Sequence, residues 1–281
     1  AGGGTDTTIR MWMEEARDNL DEDIRVVYKQ GGGARSAHEY LVSRGPDGHT
    51  IFALTQTHLY TIARGNSPVE IDQLQGVARA MDDPSVIVVR GDSDIADYDA
   101  LIAASQDQAL TWGVAQVGGT EHIGISRWAG AADAEVRVVP FGGGGDMITS
   151  LRSGAVDAAL ANISEALPQI QEGDLRALAV LYPERVGDLP DVPSTFESGH
   201  DVAVTTTRGY FVHGDTPPEL VEKIEATILE AMASERFHEY LRSSGLDPEK
   251  NIAGAAEWDE QLKAEYEVSL EALRALDMTD R

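Results

Sequence analysis

The sequence predicts a two-lobed α/β protein, and three observations predict it. A chain of 281 residues is long enough for two domains of ordinary size. Short runs rich in Val, Ile and Ala alternate with helix-like segments through most of its length, the rhythm of mostly parallel sheets with helices on both faces. The 28 glycines and 11 prolines are spread through the chain and mark no single linker, which argues for interleaved lobes over beads on a string.

The elements follow in order. After the opening AGGGTD, Ile9, Trp12, Met13, Ala16 and Leu20 recur at helical spacing, with Thr5 or Asp6 placed to cap the first free N–H groups. Residues 24–28 (IRVVY) read as a strand, GGGARSA as its turn, 38–43 as the next helix, and PDGHTIFAL as a turn feeding another strand. Further strands are expected at 85–89 (SVIVV), 109–114 (ALTWGV), 135–139 (EVRVV), 156–161 (VDAALA) and 176–181 (RALAVL). The last third differs. Thr216-Pro217-Pro218-Glu219 has the form of a capping box with proline at the first helical position, and Leu220, Ile224, Ile228 and Met232 follow at spacings of four. A second amphipathic helix spans 255–276, with Trp258, Leu262, Tyr266, Leu270 and Leu273 on one stripe. No strand is expected between these two helices, so both should pack back on an earlier lobe.

Composition removes several functions. With 48 acidic and 22 basic residues the net charge is −26, which repels nucleic-acid phosphates and anionic membrane surfaces. Acid spread over every segment also suits a saline habitat, where screening relieves self-repulsion. Zero cysteines exclude disulfides, thiolate catalysis and cysteine metal sites, and are compatible with an exported protein or a cytosolic one. No stretch approaches the roughly 20 apolar residues of a membrane span, and the start shows no basic segment leading into an apolar one, so a targeting segment is expected outside this sequence.

Four glycine-rich tracts stand out: 2–5, 31–37 (GGGARSA), 118–122 (GGTEH) and 142–146 (GGGGD), three of them after strand-like runs. A helix that starts after a strand presents free N–H groups and about half a positive charge, and glycine lets an anion approach without a Cβ in the way. The same tracts can also be no more than tight strand-to-helix turns. No G-x-x-x-x-G-K-[ST] is present and GGGARSA lacks the last glycine of G-x-G-x-x-G, so nucleotide phosphate is disfavoured and carboxylate is the economical anion. Hydroxyls of Thr5, Ser36, Thr55, Thr57 and Thr120 lie near the same turns. At −26 the chain can still hold an anion, because repulsion is screened beyond about 8 Å at physiological salt while N–H donors act at contact.

Other chemistries find little support. The seven histidines show no H-E-x-x-H or H-x-H grouping for a metal, no G-x-S-x-G elbow aims a serine, and no cofactor motif occurs. Asp6 could approach a ligand, but capping explains it. Arg208, in TTTRGYFVH, is either a bidentate carboxylate clamp or half of a surface ion pair.

The run VVPFGGGGDMITSLRSGAVDAALANISEALPQIQEGDLRALAV, then LPDVPSTFESG and HGDTPPELVEKI, resembles the substrate-binding proteins of tripartite tricarboxylate transporters. Upstream, AGGGTDTTIR is similar to that family's first ligand loop, and VVYKQGGGARSA with PDGHTIF to its second, so the resemblance covers essentially the whole chain in order. It implies a fold like type II periplasmic binding proteins, two α/β lobes with the ligand cleft between them, covering 1–107, 108–204 and a return at 205–281. Hinges would fall near 105–110 and 202–208. It implies no catalysis and no cofactor. The function implied is capture of a small carboxylic acid outside the cytoplasm, a di- or tricarboxylate or an aromatic acid, and its delivery to membrane permease subunits. A carboxylate sensor signalling to a membrane receptor, or an enzyme acting in the same cleft, are the alternatives.

Carried over residue by residue, the resemblance places Gly3, Gly4, Thr5 and Asp6 in the first loop and Gly31, Gly32, Gly33 and Ala34 in the second, with backbone N–H groups for one carboxylate. Thr55 and Thr57 follow on the same lobe. Gly119, Thr120, His122, Ala161 and Asn162 belong to the other lobe, and Arg208 adds its charge. Departures are Tyr28, where the family commonly has asparagine; Ala161, where it often has aspartate; no aromatic near Arg208; and an expected strand ahead of AGGGTD that this sequence does not include.

Overall fold

The computed structural model describes residues 4–17, 23–29, 34–115 and 117–279. In chain order the elements are α1 (Gly4–Ala16), α2 (Arg35–Arg44), β1 (Phe52–Leu54), α3 (Gln56–Ala63), β2 (Leu74–Arg90), α4 (Tyr98–Asp107), β3 (Leu110–Val114), α5 (Thr120–Ala132) and β4 (Val136–Pro140). There follow α6 (Gly144–Arg152), β5 (Ala158–Asn162), α7 (Ile163–Gln171), β6 (Leu175–Leu181), β7 (Thr205–His213), α8 (Pro218–Met232), α9 (Glu235–Ser243), α10 (Pro248–Asn251), β8 (Ala253–Gly254) and α11 (Ala255–Ala275). They form two compact units, Ala1–Asp82 with Thr207–Arg281, and Asp83–Thr206.

In the second unit the strands run β6–β2–β5–β3–β4. The β5, β3 and β4 strands are mutually parallel, and the later half of β2 runs antiparallel to both β5 and β6. Alternate residues serve opposite faces. Ile87, Val89, Ala158 and Leu160 join Leu101, Ile125 and Trp128 of α4 and α5, while Val86, Val88, Ala159 and Ala161 join Met147, Leu151, Ile163 and Leu167 of α6 and α7. Both faces being covered explains why 85–89 reads as an unbroken apolar run. Trp128, wholly buried, packs on Trp112 at 4.9 Å between ring centroids and donates its Nε1–H to the Tyr98 hydroxyl at 2.8 Å.

The first unit is built differently. β1 pairs antiparallel with β7, setting Phe52 opposite Phe211, and β2 pairs antiparallel with β8. β7 lies between β1 and β2. The β1–β7 and β2–β8 ladders are antiparallel, and the chain as a whole is mixed α/β. The core is Trp12, Met13, Val77, Met81, Tyr210, Ile228, Met232, Phe237 and Leu241, from α1, β2, β7, α8 and α9.

Several expectations are corrected. Residues 24–28 belong to no ladder: Ile24 and Val26 pack on the core while Val27 and Tyr28 are exposed, so the alternation is real and a neighbouring strand is lacking among the described residues. The strand expected at 85–89 is 17 residues long, and its first half serves the first unit. The chain therefore crosses at 82/83 and 206/207, whereas 107/108 and 204/205 were expected. Thr216 does not cap α8, whose N-cap is Pro217 with Pro218 at the first helical position, and α9, α10 and β8 intervene before α11. The α11 stripe stands: Trp258, Leu262, Tyr266, Leu270 and Leu273 are all buried.

Gly209 of β7 shows how tightly α11 is seated. A Cβ there would collide with the Trp258 indole, and Trp258 is fully buried, so the ring has nowhere to retreat. Gly209→Ala is expected to lower the unfolding free energy in urea by about 1–3 kcal/mol, the usual cost of overpacking a filled core. An unchanged midpoint and slope would contradict this packing.

Candidate functional site

In the second unit, β3, β4 and β5 point their carboxyl ends to one sheet edge, and each leads through a short turn into a helix: α5, α6 and α7. Such an edge gathers unsatisfied helix N–H groups. The chain itself answers one set. The carboxylate of Asp83, wholly buried, accepts from the Ser164 N–H at 3.2 Å and from the Ser164 hydroxyl, occupying the first turn of α7. At α6 two acidic side chains fold over the glycines, for a Cβ on Gly142 would meet Asp146 Oδ2 at 2.8 Å and one on Gly144 would collide with Glu165 Oε2. At α5 the N-cap is Gly119, which contributes no side chain, Thr120 beside it is 3% exposed, and the Glu121 carboxyl accepts from its own backbone N–H.

His122 shapes that turn. Its Nδ1 accepts from the Gly118 N–H at 2.8 Å, which fixes the neutral ring with its proton on Nε2, and Gly118 has φ 69°, the left-handed region that favours glycine. Ala161 and Asn162 end β5 in buried positions, and Asn162 Oδ1 accepts from the Thr206 hydroxyl at 2.9 Å, leaving its amide nitrogen to donate. Glu121, in the first turn of α5, has its carboxyl held above the usual range by burial, with Glu165 adding repulsion. An open recess of about 500 Å³ near Arg90, Arg152 and Asp174 lies at the opposite, amino edge of this sheet.

In the first unit, three helices again begin at or beside the named residues. Gly4, Thr5 and Asp6 form the first turn of α1, so Asp6 is a helical residue and not its N-cap. Its carboxylate accepts from Arg10 Nε at 3.0 Å and from the Tyr28 hydroxyl at 2.6 Å. Tyr28, noted above as a departure, thereby ties the segment 23–29 to α1. Ala34 caps α2 with φ 83°, a strained conformation for a residue with a Cβ. Thr55 caps α3 and its N–H donates to His58 Nδ1 at 3.2 Å; Thr57 is the second residue of that helix. Gly3, Gly31, Gly32 and Gly33 lie outside the described residues.

Arg208 is not half of a surface ion pair. It is 4% exposed, its guanidinium reaches the Met81 sulfur, and a Cβ on Gly4 would stand 2.6 Å from its Nη2. A buried cation thus lies against the first residue of α1, adding its charge to the positive end of that helix. The sequence could not show this, because the alternation of TTTRGYFVH does not reveal which face of β7 is covered. Of the glycine tracts, 118–122 and 142–146 follow true strands; 31–37 follows the unladdered 23–29 segment.

Sequence reasoning missed a histidine pair behind α3. His38 is wholly buried with its Nδ1 2.8 Å from the Ser67 hydroxyl, and it stands 6.0 Å from His58 between ring centroids. Burial holds His38 down to about 4, and burial with repulsion from His38 holds His58 down to about 3. A histidine kept neutral stabilises the fold above its ordinary value of 6.5, and that contribution is lost as pH falls towards about 3. His58→Gln keeps an acceptor for Thr55; from pH 7 to 5 the natural protein should lose about 2 kcal/mol more unfolding free energy than this variant. Parallel pH profiles would contradict it.

With this geometry in place, the comparisons with known proteins are specific. Residues 8–261 match the model of the tripartite tricarboxylate transporter family receptor. A UPF0065 protein of Bordetella pertussis is 26% identical over 256 residues, 88% of this chain and 78% of that protein. MatC from Rhodopseudomonas palustris, solved with bound malate, superposes with a TM-score of 0.83 at 24% identity, covering 97% of this chain and 95% of MatC. Rpa4515 of R. palustris, solved with adipate, gives 0.84 at 20% identity, covering 98% and 93%. The match over so much of the chain decides its membership: this protein belongs to the tripartite tricarboxylate transporter receptor family.

Proposed function

We propose that the protein is an extracytoplasmic solute-binding receptor that captures a small carboxylic acid and delivers it to the permease of a tripartite tricarboxylate-type transporter. The observation that carries the reading is Arg208. In a chain of net charge −26, this arginine is buried beside the N-terminus of α1, where a carboxylate would meet a guanidinium and the positive end of the helix together. Malate in MatC and adipate in Rpa4515 are dicarboxylates, and they support that class here. No helix among the described residues is long and apolar enough to cross a membrane, so the permease is a separate partner in this reading. The proposal assigns no chemical step to the chain.

The test is thermal unfolding of ligand-stripped protein against aliphatic and aromatic mono-, di- and tricarboxylates, with inorganic phosphate and free sugars as controls. An acid present at 100 times its dissociation constant should stabilise by about 2.7 kcal/mol, a shift of a few degrees. Arg208→Ala should weaken that acid by about 2 kcal/mol or more, roughly thirtyfold, while the variant still unfolds cooperatively. A response to sugars or phosphate but to no carboxylate would overturn the reading, and full affinity in the variant would remove Arg208 from the site.

A further inference from the structure

A polar cluster beneath the first turn of α3 plays no part in the reading above. Gln56, which opens α3, and Thr207, where β7 enters the first unit, are both buried. Gln56 Oε1 accepts from the Thr207 N–H at 2.6 Å, while its Nε2 donates to Glu265 Oε2 of α11 at 2.7 Å and also reaches the Thr207 hydroxyl. That hydroxyl lies 3.0 Å from Glu265 Oε1 and 3.3 Å from Asp82 Oδ1. Gln261 Nε2 reaches Glu265 Oε1 at 2.6 Å and Asp82 Oδ2 at 3.4 Å. Asp82 and Thr207 are the two residues at which the chain leaves and re-enters this unit.

Counting hydrogens exposes the constraint. The Thr207 hydroxyl has one hydrogen and two carboxyl groups within reach, so with both ionised one contact sets oxygen against oxygen. A proton on Glu265 Oε1 completes a chain: Glu265 donates to Thr207, Thr207 donates to Asp82, and Oε2 still accepts from Gln56. The nearby cation is committed elsewhere. Arg79 donates to the carbonyls of Asn251 and Lys250 at 2.8 Å each, to Gln261, and pairs with Glu257 at 3.1 Å. From α3, His58 turns its Nδ1 to Thr55; from α8, Glu225 accepts from the Ala255 N–H at 2.7 Å; on α11 itself, Asp259 is held by Lys263. Burial, and after it the charge of Asp82, push the Glu265 carboxyl up to about 7.

The geometry points to Glu265 and Asp82 as an acid pair that holds one proton between them through Thr207, fastening both chain crossings to α3 and α11 and loosening them when the proton leaves. The carboxyl is thus a positioning group for the crossings, with no part in contacting an acid.

The experiment is hydrogen exchange of the ligand-free protein, followed by mass spectrometry over 79–84 and 205–209 and corrected for intrinsic rates, at pH 6 and pH 8.5. Protection of both segments should fall about tenfold at the higher pH, since loosening returns Glu265 towards an ordinary carboxyl value. In Glu265→Gln, whose amide reproduces the donor, protection should be the same at both pH values. Equal pH responses in the two proteins would overturn the proposal. Should the variant not fold, carboxyl carbon NMR of the natural protein decides: a Glu265 titration near neutrality supports the shared proton, and one in the ordinary glutamate range rejects it.

Discussion

One strand has to satisfy two sheets, and much of the molecule follows from that. β2 runs for 17 residues, and its first half is core for the first unit while its second half is the antiparallel partner of β5 and β6. At the change of unit stands Asp82-Asp83-Pro84. Each aspartate is committed to its own side: Asp82 accepts from Thr207 in the first unit, and Asp83 holds the start of α7 in the second. Pro84, lacking an N–H, can donate no ladder bond at the crossing. Two carboxylates next to one another in a buried strand would cost several kcal/mol unpaired, so the hydrogen bonds on each side are conditions of the strand's existence.

The same logic of satisfying orphan groups sorts the helix starts. A helix N-terminus whose N–H groups are taken by the chain's own carboxylate has nothing left for an anion, which is the condition of α7. One that lies beside a buried guanidinium has that charge added to its own field. The long-range charge of the protein opposes an acid, but this is screened over about 8 Å, whereas a guanidinium and aligned N–H donors act at contact and in a drier setting.

What could be read from the sequence was set by how many residues share one signal. The α11 stripe spans 21 residues of consistent period, and the apolar runs that became β3 to β6 are each bounded by turns, so both were legible. The first half of β2 was not: LQGVARAMDDP holds glycine, alanines, two aspartates and a proline, all poor strand formers, and only its pairing and burial in the assembled unit make it a strand. Residues 24–28 failed in the opposite sense, having the local pattern without a neighbour. Within the candidate site, Gly119 and Thr120 were visible as a turn after a strand. The burial of Arg208, the capture of α7 by Asp83 and the Gln56–Thr207–Glu265 cluster join residues up to 209 positions apart, and no local window contains them.

The central claim of the proposed function is that Arg208 and the N-terminus of α1 together meet the carboxylate of an acid. Amide hydrogen exchange of the protein with and without the tightest-binding carboxylate tests it most directly. The account predicts slower exchange at the first turn of α1, with the first turn of α7 unchanged because Asp83 already holds it. Unchanged exchange in α1, or protection centred on the recess around Arg90 and Arg152, would contradict it.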